Sequence, residues 1–148
     1  MQTLIRVATP DDVNTLYAIR TAVVQNHLSR EQMTDLGITP QVLTDSIREA
    51  DCAWIAQVDG QPAGFSMVNL VAGEVFAMFV LPVYENLGLG RQLMAVAEAA
   101  LFEHHETLFL ITDGRDEVRA NGLYQRLGWS VVANEMGDDV RYEKSRAL

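Results

Sequence analysis

The strongest constraint on this chain lies in residues 76–93, FAMFVLPVYENLGLGRQL. An apolar run passes through a short loop into Gly88-Leu89-Gly90 and then into a helix. Glu74 to Leu81 reads as a strand that is apolar on both faces, which predicts a place inside a sheet covered on each side. Leu89, Leu93, Val96, Ala97, Ala100 and Leu101 recur at helical spacing, so a long helix follows with one buried face. Glycines at 88 and 90 remove side chains where the backbone must approach a ligand. The helix start adds unpaired N–H groups and a partial positive charge, a combination suited to phosphate or pyrophosphate. No Gly-Lys-Ser/Thr follows, so this is not a Walker P-loop, and the third glycine of a dinucleotide-binding fingerprint is absent. Taken alone, the same spacing also describes a plain tight turn.

The remaining elements bracket this segment. Leu4 to Ala8 reads as a strand, and Thr9-Pro10-Asp11-Asp12 is a helix start, with Thr at N-cap, Pro at N1 and acid in the first turn. Thr39-Pro40 repeats the signal ahead of Val42, Leu43 and Ile47, and residues 26–38 between them read as a loop or broken helix. Cys52 to Val58, the Asp59-Gly60 turn and Ala63 to Leu70 form a hairpin. Thr107 to Thr112 is a strand, Glu117 to Leu127 a helix stopped by Gly128, and 129–133 with 140–144 a closing hairpin. The order β-α-α-β-β-β-α-β-α-β-β predicts one mixed α+β domain over residues 1–148.

A second segment gives the first its meaning. Glu85-Asn86-Leu87-Gly88-Leu89-Gly90 followed by Ala120, Tyr124, Gly128 and Trp129 resembles the two motifs of the GCN5-related N-acetyltransferase (GNAT) superfamily. These are Arg/Gln-x-x-Gly-x-Gly/Ala at the pyrophosphate loop, and later Ala-x-x-x-Tyr-x-x-x-Gly-Phe/Trp. The resemblance implies a mostly antiparallel twisted sheet flanked by helices, with acetyl-CoA as co-substrate between the strands at 74–81 and 107–112. It implies phosphate contacts from Asn86, Leu87, Gly88, Leu89, Gly90 and Arg91, and backbone contacts to the thioester and pantetheine arm from Met78, Phe79 and Val80. Tyr124 takes the place of the general acid that protonates the leaving thiolate. Glu74 matches the position of the basic glutamate in histone-acetylating members, and desolvation among apolar neighbours suits a base for a protonated amine. The residues also admit a plainer reading, with Tyr124 as a core aromatic and Glu74 as a solvated strand end. One departure stands out. Glu85 replaces the usual Arg or Gln, setting a carboxylate near anionic phosphates, and Arg91 is the cation in that loop to offset it.

The implied activity is transfer of an acetyl group to an amine by direct attack in a ternary complex. The acceptor is a small-molecule or peptide amine met by residues 25–40 and the final hairpin, with His27 a candidate contact. A non-catalytic acyl-CoA-binding regulatory module is the alternative, and an interaction domain without the cofactor a third reading. A formal net charge of −9 argues against nucleic acid. No apolar stretch approaches the length of a membrane helix. The one cysteine, Cys52, points to a reducing cytoplasm. His27, His104 and His105 lack metal-ligand spacing, so no metal is expected. The resemblance also allows a homodimer.

Overall fold

Local signals in the sequence start most of the elements. The computed structural model describes residues 1–23 and 28–147. β1 (Thr3–Val7) leads to Thr9-Pro10, where the expected helix begins as a single 3-10 turn, Pro10–Asp12, before α1 (Val13–Ala22). Asp12 draws this corner together. Its carboxylate accepts from the Thr9 N–H at 2.8 Å and from both terminal nitrogens of Arg6 at 2.8 and 2.9 Å. That pairing holds the Asp12 carboxyl down at about 2. α3 (Pro40–Glu49) is capped by Thr39 Oγ1, which accepts from the Val42 N–H at 3.2 Å.

Within the stretch read as a loop or broken helix lies α2 (Arg30–Asp35). Ser29 Oγ accepts from the Gln32 N–H at 3.1 Å, and Gln32 Oε1 accepts from the Ser29 N–H at 2.8 Å. Ser-x-x-Gln was the sequence signal for it, and the buried Met33 anchors the short helix to the core.

β2 (Ala53–Val58), β3 (Gln61–Asn69), β4 (Glu74–Val80), β5 (Thr107–Asp113), β6 (Ser130–Asn134) and β7 (Asp139–Ser145) complete a seven-stranded sheet in the order β1-β2-β3-β4-β5-β7-β6. Every neighbouring pair is antiparallel except β4 and β5. The Asp59-Gly60 turn has positive φ at both residues, 49° and 81°, matching the right-handed twist of its flanking strands. α4 (Leu89–Phe102) packs on β2 to β5, and Ser66 Oγ donates to the Leu93 carbonyl at 3.0 Å. α1 packs on β3 and β4 from the opposite face. The alternation of β4 shows this. A Cβ on Gly90 of α4 would lie 3.7 Å from the Met78 sulfur, whereas the Arg20 guanidinium of α1 sits 4.1 Å over the Phe79 ring.

α5 (Ala120–Arg126) starts three residues later than its apolar pattern predicts. The Val118 N–H donates to the Arg115 carbonyl in a turn that occupies the preceding residues, and the Asn121 N–H donates to the Val118 carbonyl as the helix begins. Behind α4, Glu98 is buried and joins two elements. Its carboxylate accepts from Lys144 Nζ at 2.6 Å and from Trp129 Nε1 at 3.1 Å. Glu98→Ala leaves a partly buried ammonium and an indole N–H without that acceptor. The expected cost is about 2 kcal/mol, or a melting temperature lower by about 4–8 °C in thermal unfolding. A change below about 1 °C would show that solvent replaces the carboxylate at no cost.

Candidate active site

β4 and β5 run parallel but meet at one bridge, Glu74 with Phe109, reinforced by the Phe109 N–H donating to the Gly73 carbonyl at 3.0 Å. Beyond that point they part. A bulge in β4 coincides with the parting: Met67 pairs with Ala77 while Val68 pairs with Val75, so Phe76 is an extra residue and the strand bends there. A cleft of about 660 Å³ opens between the strands, lined by β4 from Val75 to Val80, by Leu110, Ile111 and Thr112 of β5, and by the starts of α4 and α5. β4 lies inside the sheet with α4 on one face and α1 on the other, as expected, but its edge toward β5 is open beyond the bridge. Phe76 is 42% exposed and Met78, Phe79 and Val80 are only half-buried, because the cleft opens along that edge of β4.

The open edge of β4 carries backbone groups. The Leu81 N–H donates to the Ala63 carbonyl at 2.8 Å, on the β3 side. Alternation then turns the N–H groups of Met78 and Val80 toward the cleft and that of Phe79 toward β3. A Cβ on Gly64 of β3 would lie 2.6 Å from the Phe79 carbonyl oxygen, consistent with that direction. Of the three residues expected to offer backbone groups, the geometry therefore favours Met78 and Val80.

At one end of the cleft stands the glycine turn. Asn86 and Gly88 adopt left-handed conformations, φ 67° and 78°, and Gly88 is the N-cap of α4. Gly90 is needed for packing, since a Cβ there would come within 2.9 Å of Leu123 Cδ2 on α5. Asn86, Gly88, Leu89, Gly90 and Arg91 line the cleft. Leu87 does not, and its side chain packs against the core. The offset to Glu85 expected from Arg91 comes from a residue that the sequence did not single out. Arg119 Nε lies 3.4 Å from Glu85 Oε2, and its terminal nitrogen donates to Asn86 Oδ1 at 2.6 Å.

Tyr124 is both buried and part of the cleft lining. Its ring is buried edge-on against Tyr142, centroids 5.5 Å apart, while the residue lines the cleft. Among the described residues no fully buried side-chain polar atom lacks a hydrogen bond, and the Tyr124 hydroxyl has no protein partner there. The hydroxyl therefore sits at the cleft surface. Burial, with Tyr142 adding to it, pushes the phenol well above its ordinary pKa, so it remains protonated at neutral pH. The neighbouring Asn121 is structural. Its amide donates to the carbonyls of Asp113 (2.9 Å) and Arg115 (3.0 Å), and its oxygen accepts from the Tyr142 hydroxyl at 3.0 Å.

Glu74 lies just outside the cleft lining, at the bridge where the strands part. Desolvation raises its carboxyl pKa, and the charge of Arg141 partly opposes the shift. Arg141 is fixed 4.0 Å above the Phe109 ring, with Nε 3.1 Å from Glu143 Oε2. His27 lies outside the described residues. Among the described residues no group of three His, Cys, Asp or Glu is placed to hold a metal ion, and no helix is long and apolar enough to cross a membrane.

The family model described as the acetyltransferase (GNAT) family matches residues 10–129. The chain is 27% identical over 134 residues to the mycothiol acetyltransferase of Propionibacterium freudenreichii, covering 86% of this chain and 43% of that protein. It is 28% identical over 86 residues to an uncharacterized N-acetyltransferase of Archaeoglobus fulgidus, covering 52% of this chain and 58% of that one. The chain thus spans about half the length of the curated relatives it matches. In fold it is similar to the PaiA N-acetyltransferase of Thermoplasma acidophilum in complex with coenzyme A, with a TM-score of 0.77 at 18% identity over 99% of this chain and 100% of that one. Ard1 of Thermoplasma volcanium matches with a TM-score of 0.74 at 17% identity, covering all of both chains.

Proposed function

The chain belongs to the acetyltransferase (GNAT) family, and from that premise we propose that it transfers an acetyl group from acetyl-CoA to an amine. The observation that carries this reading is the cleft where β4 and β5 part, on which a glycine turn at a helix start, a free strand edge and a tyrosine hydroxyl converge. Those groups fit the donor molecule in order. N–H groups at the start of α4 suit the pyrophosphate, the edge of β4 suits the amide-bearing pantetheine arm, and the Tyr124 hydroxyl suits the leaving sulfur. Acetyl-CoA supplies an activated carbonyl. The chain orients it, strips water from the cleft and moves two protons.

The first proton comes from the amine, which must be neutral to attack. Glu74 accepts it, through water because the carboxylate lies outside the cleft lining. The second goes to the departing thiolate from the Tyr124 hydroxyl, and the phenolate regains a proton as the newly acylated nitrogen loses its own. An N–H of Met78 or Val80 steadies the charge that develops on the carbonyl oxygen. No covalent enzyme intermediate is required. The buried Cys52 thiol, whose pKa burial raises, is unsuited to be a nucleophile and fits a reducing cytoplasm.

Incubation with acetyl-CoA and a panel of amino acids, polyamines, aminoglycosides and lysine peptides tests the reading by release of free CoA thiol. Release with one amine class is expected. Tight CoA binding without release from any amine would instead favour the acyl-CoA-binding regulatory module, and no CoA binding would overturn both. The pH profile tests Glu74. As a base it acts when deprotonated, so kcat/KM rises with pH through a midpoint above the ordinary carboxylate range. Glu74→Gln should flatten that rise and lower the rate about ten- to a hundredfold. Arg141→Gln removes the attraction that holds the pKa down, and should move the midpoint to higher pH. A profile unchanged in Glu74→Gln would remove Glu74 from the mechanism.

A further inference from the structure

We propose that Arg119 is a phosphate-binding residue for the acyl donor, and that Glu85 holds its guanidinium in place until the phosphates arrive. This rests on the acetyl-CoA reading of the cleft and deepens it. Arg119 immediately precedes α5, while Glu85 and Asn86 precede the glycine turn of α4, so the contact bridges two walls of one cleft. Arg119, Glu85 and Asn86 all line that cleft, together with Arg91 and Arg126. The contacts within the bridge differ in quality. The bond from the terminal nitrogen to Asn86 Oδ1 is short at 2.6 Å, whereas Nε stands 3.4 Å from Glu85 Oε2, with the two side chains 56% and 33% exposed.

That difference sets up an exchange of partners. A guanidinium has five N–H donors in a fixed fork, so Arg119 can keep Asn86 and still turn donors toward a second anion. A long, solvated ion pair is weak, while a fork-to-phosphate contact is charge-assisted on two bonds at once. A phosphate entering at the start of α4 therefore displaces the Glu85 carboxylate from Arg119. Glu85, which by itself would repel that phosphate, instead keeps the guanidinium at the cleft in the unliganded protein. The chain thereby accommodates an acidic residue beside the glycine turn.

Calorimetric binding of coenzyme A and of pantetheine, the same thiol without phosphates, tests this with wild type, Arg119→Gln, Arg119→Lys and Glu85→Gln. Arg119→Gln should weaken coenzyme A about ten- to a hundredfold and leave pantetheine unchanged, and Arg119→Lys should recover part of the loss. Glu85→Gln removes the competing anion and should tighten coenzyme A about three- to tenfold. Circular dichroism melts establish that each variant is folded. If Arg119→Gln does not fold, Glu85→Gln must still tighten binding for the proposal to stand. Unaltered coenzyme A affinity in Arg119→Gln, equal losses for the two ligands, or weaker binding in Glu85→Gln would each overturn it. Wild type that binds coenzyme A beside an unaffected Arg119→Gln leaves the acetyl-CoA reading intact, whereas wild type that binds none removes that reading and this proposal together.

Discussion

Replacing Tyr124 with Phe is expected to lower turnover by about 10²–10⁴-fold while leaving the melting temperature and acetyl-CoA affinity nearly unchanged. The substitution removes one oxygen and keeps the ring that packs edge-on against Tyr142. Because the hydroxyl has no protein hydrogen bond among the described residues, its loss orphans no buried partner, and stability has little reason to change. Its function is another matter. A phenol kept protonated by burial, at the surface of the cleft, holds a proton that a departing thiolate can take. A loss of only a few-fold would mean that the hydroxyl positions the thioester without protonating the sulfur. Unchanged turnover, measured where the chemical step limits the rate, would leave Tyr124 as a core aromatic that happens to reach the cleft. The measurement needs an accepted amine, so it follows the thiol-release screen.

Gly88→Val is expected to weaken coenzyme A binding by about 10²–10⁴-fold and to lower stability by about 1–3 kcal/mol. Gly88 has φ 78° at the N-cap of α4, a conformation that a β-branched residue adopts only under strain. Open space is not the limitation there, since among the described residues an added Cβ would meet the Arg91 guanidinium at 3.6 Å, an ordinary contact distance. The backbone is. When the turn relaxes to suit Val, the N–H groups at the start of α4 swing out of alignment, and each charge-assisted bond lost costs about 1.5–3 kcal/mol. Gly90→Val acts differently, pushing Leu123 from 2.9 Å and so moving α5 against the cleft. Calorimetry with coenzyme A and a thermal melt separate the two effects. A folded Gly88→Val protein that binds coenzyme A as wild type does would show that the phosphates lie elsewhere.

Much of this molecule is written locally. The two Thr-Pro helix starts, the Asp59-Gly60 turn with positive φ at both residues, and the Gly88-x-Gly90 turn are decided by residues adjacent in sequence, through capping, ring closure and the absence of a Cβ. The amphipathic stripe of α4 is likewise a matter of period, and Leu89, Leu93, Ala97 and Leu101 are buried as it requires. So the order of the elements other than α2 and the place of the glycine turn were legible from the sequence alone. α2 read only as a loop or broken helix although Ser29-x-x-Gln32 carried its cap, because a six-residue helix shows less than two turns of periodicity.

What the sequence could not decide depends on residues brought together by the sheet. Periodicity reports how many faces of a strand are apolar, but not whether its edges are paired along their whole length. β4 has helices on both faces as read, yet the bulge at Phe76 and the single Glu74–Phe109 bridge leave one edge open. Glu85 and Arg119 lie far apart in sequence, and their contact exists only because the ends of α4 and α5 converge on the same cleft. The surroundings of Glu74 come from three strands, with Phe109 contributed by β5 and Arg141 by β7. Hydrogen-bonding potential and charge are carried by each residue wherever it sits. Distance and desolvation, which convert them into a proton donor, a base or an anion site, are properties of the assembled sheet.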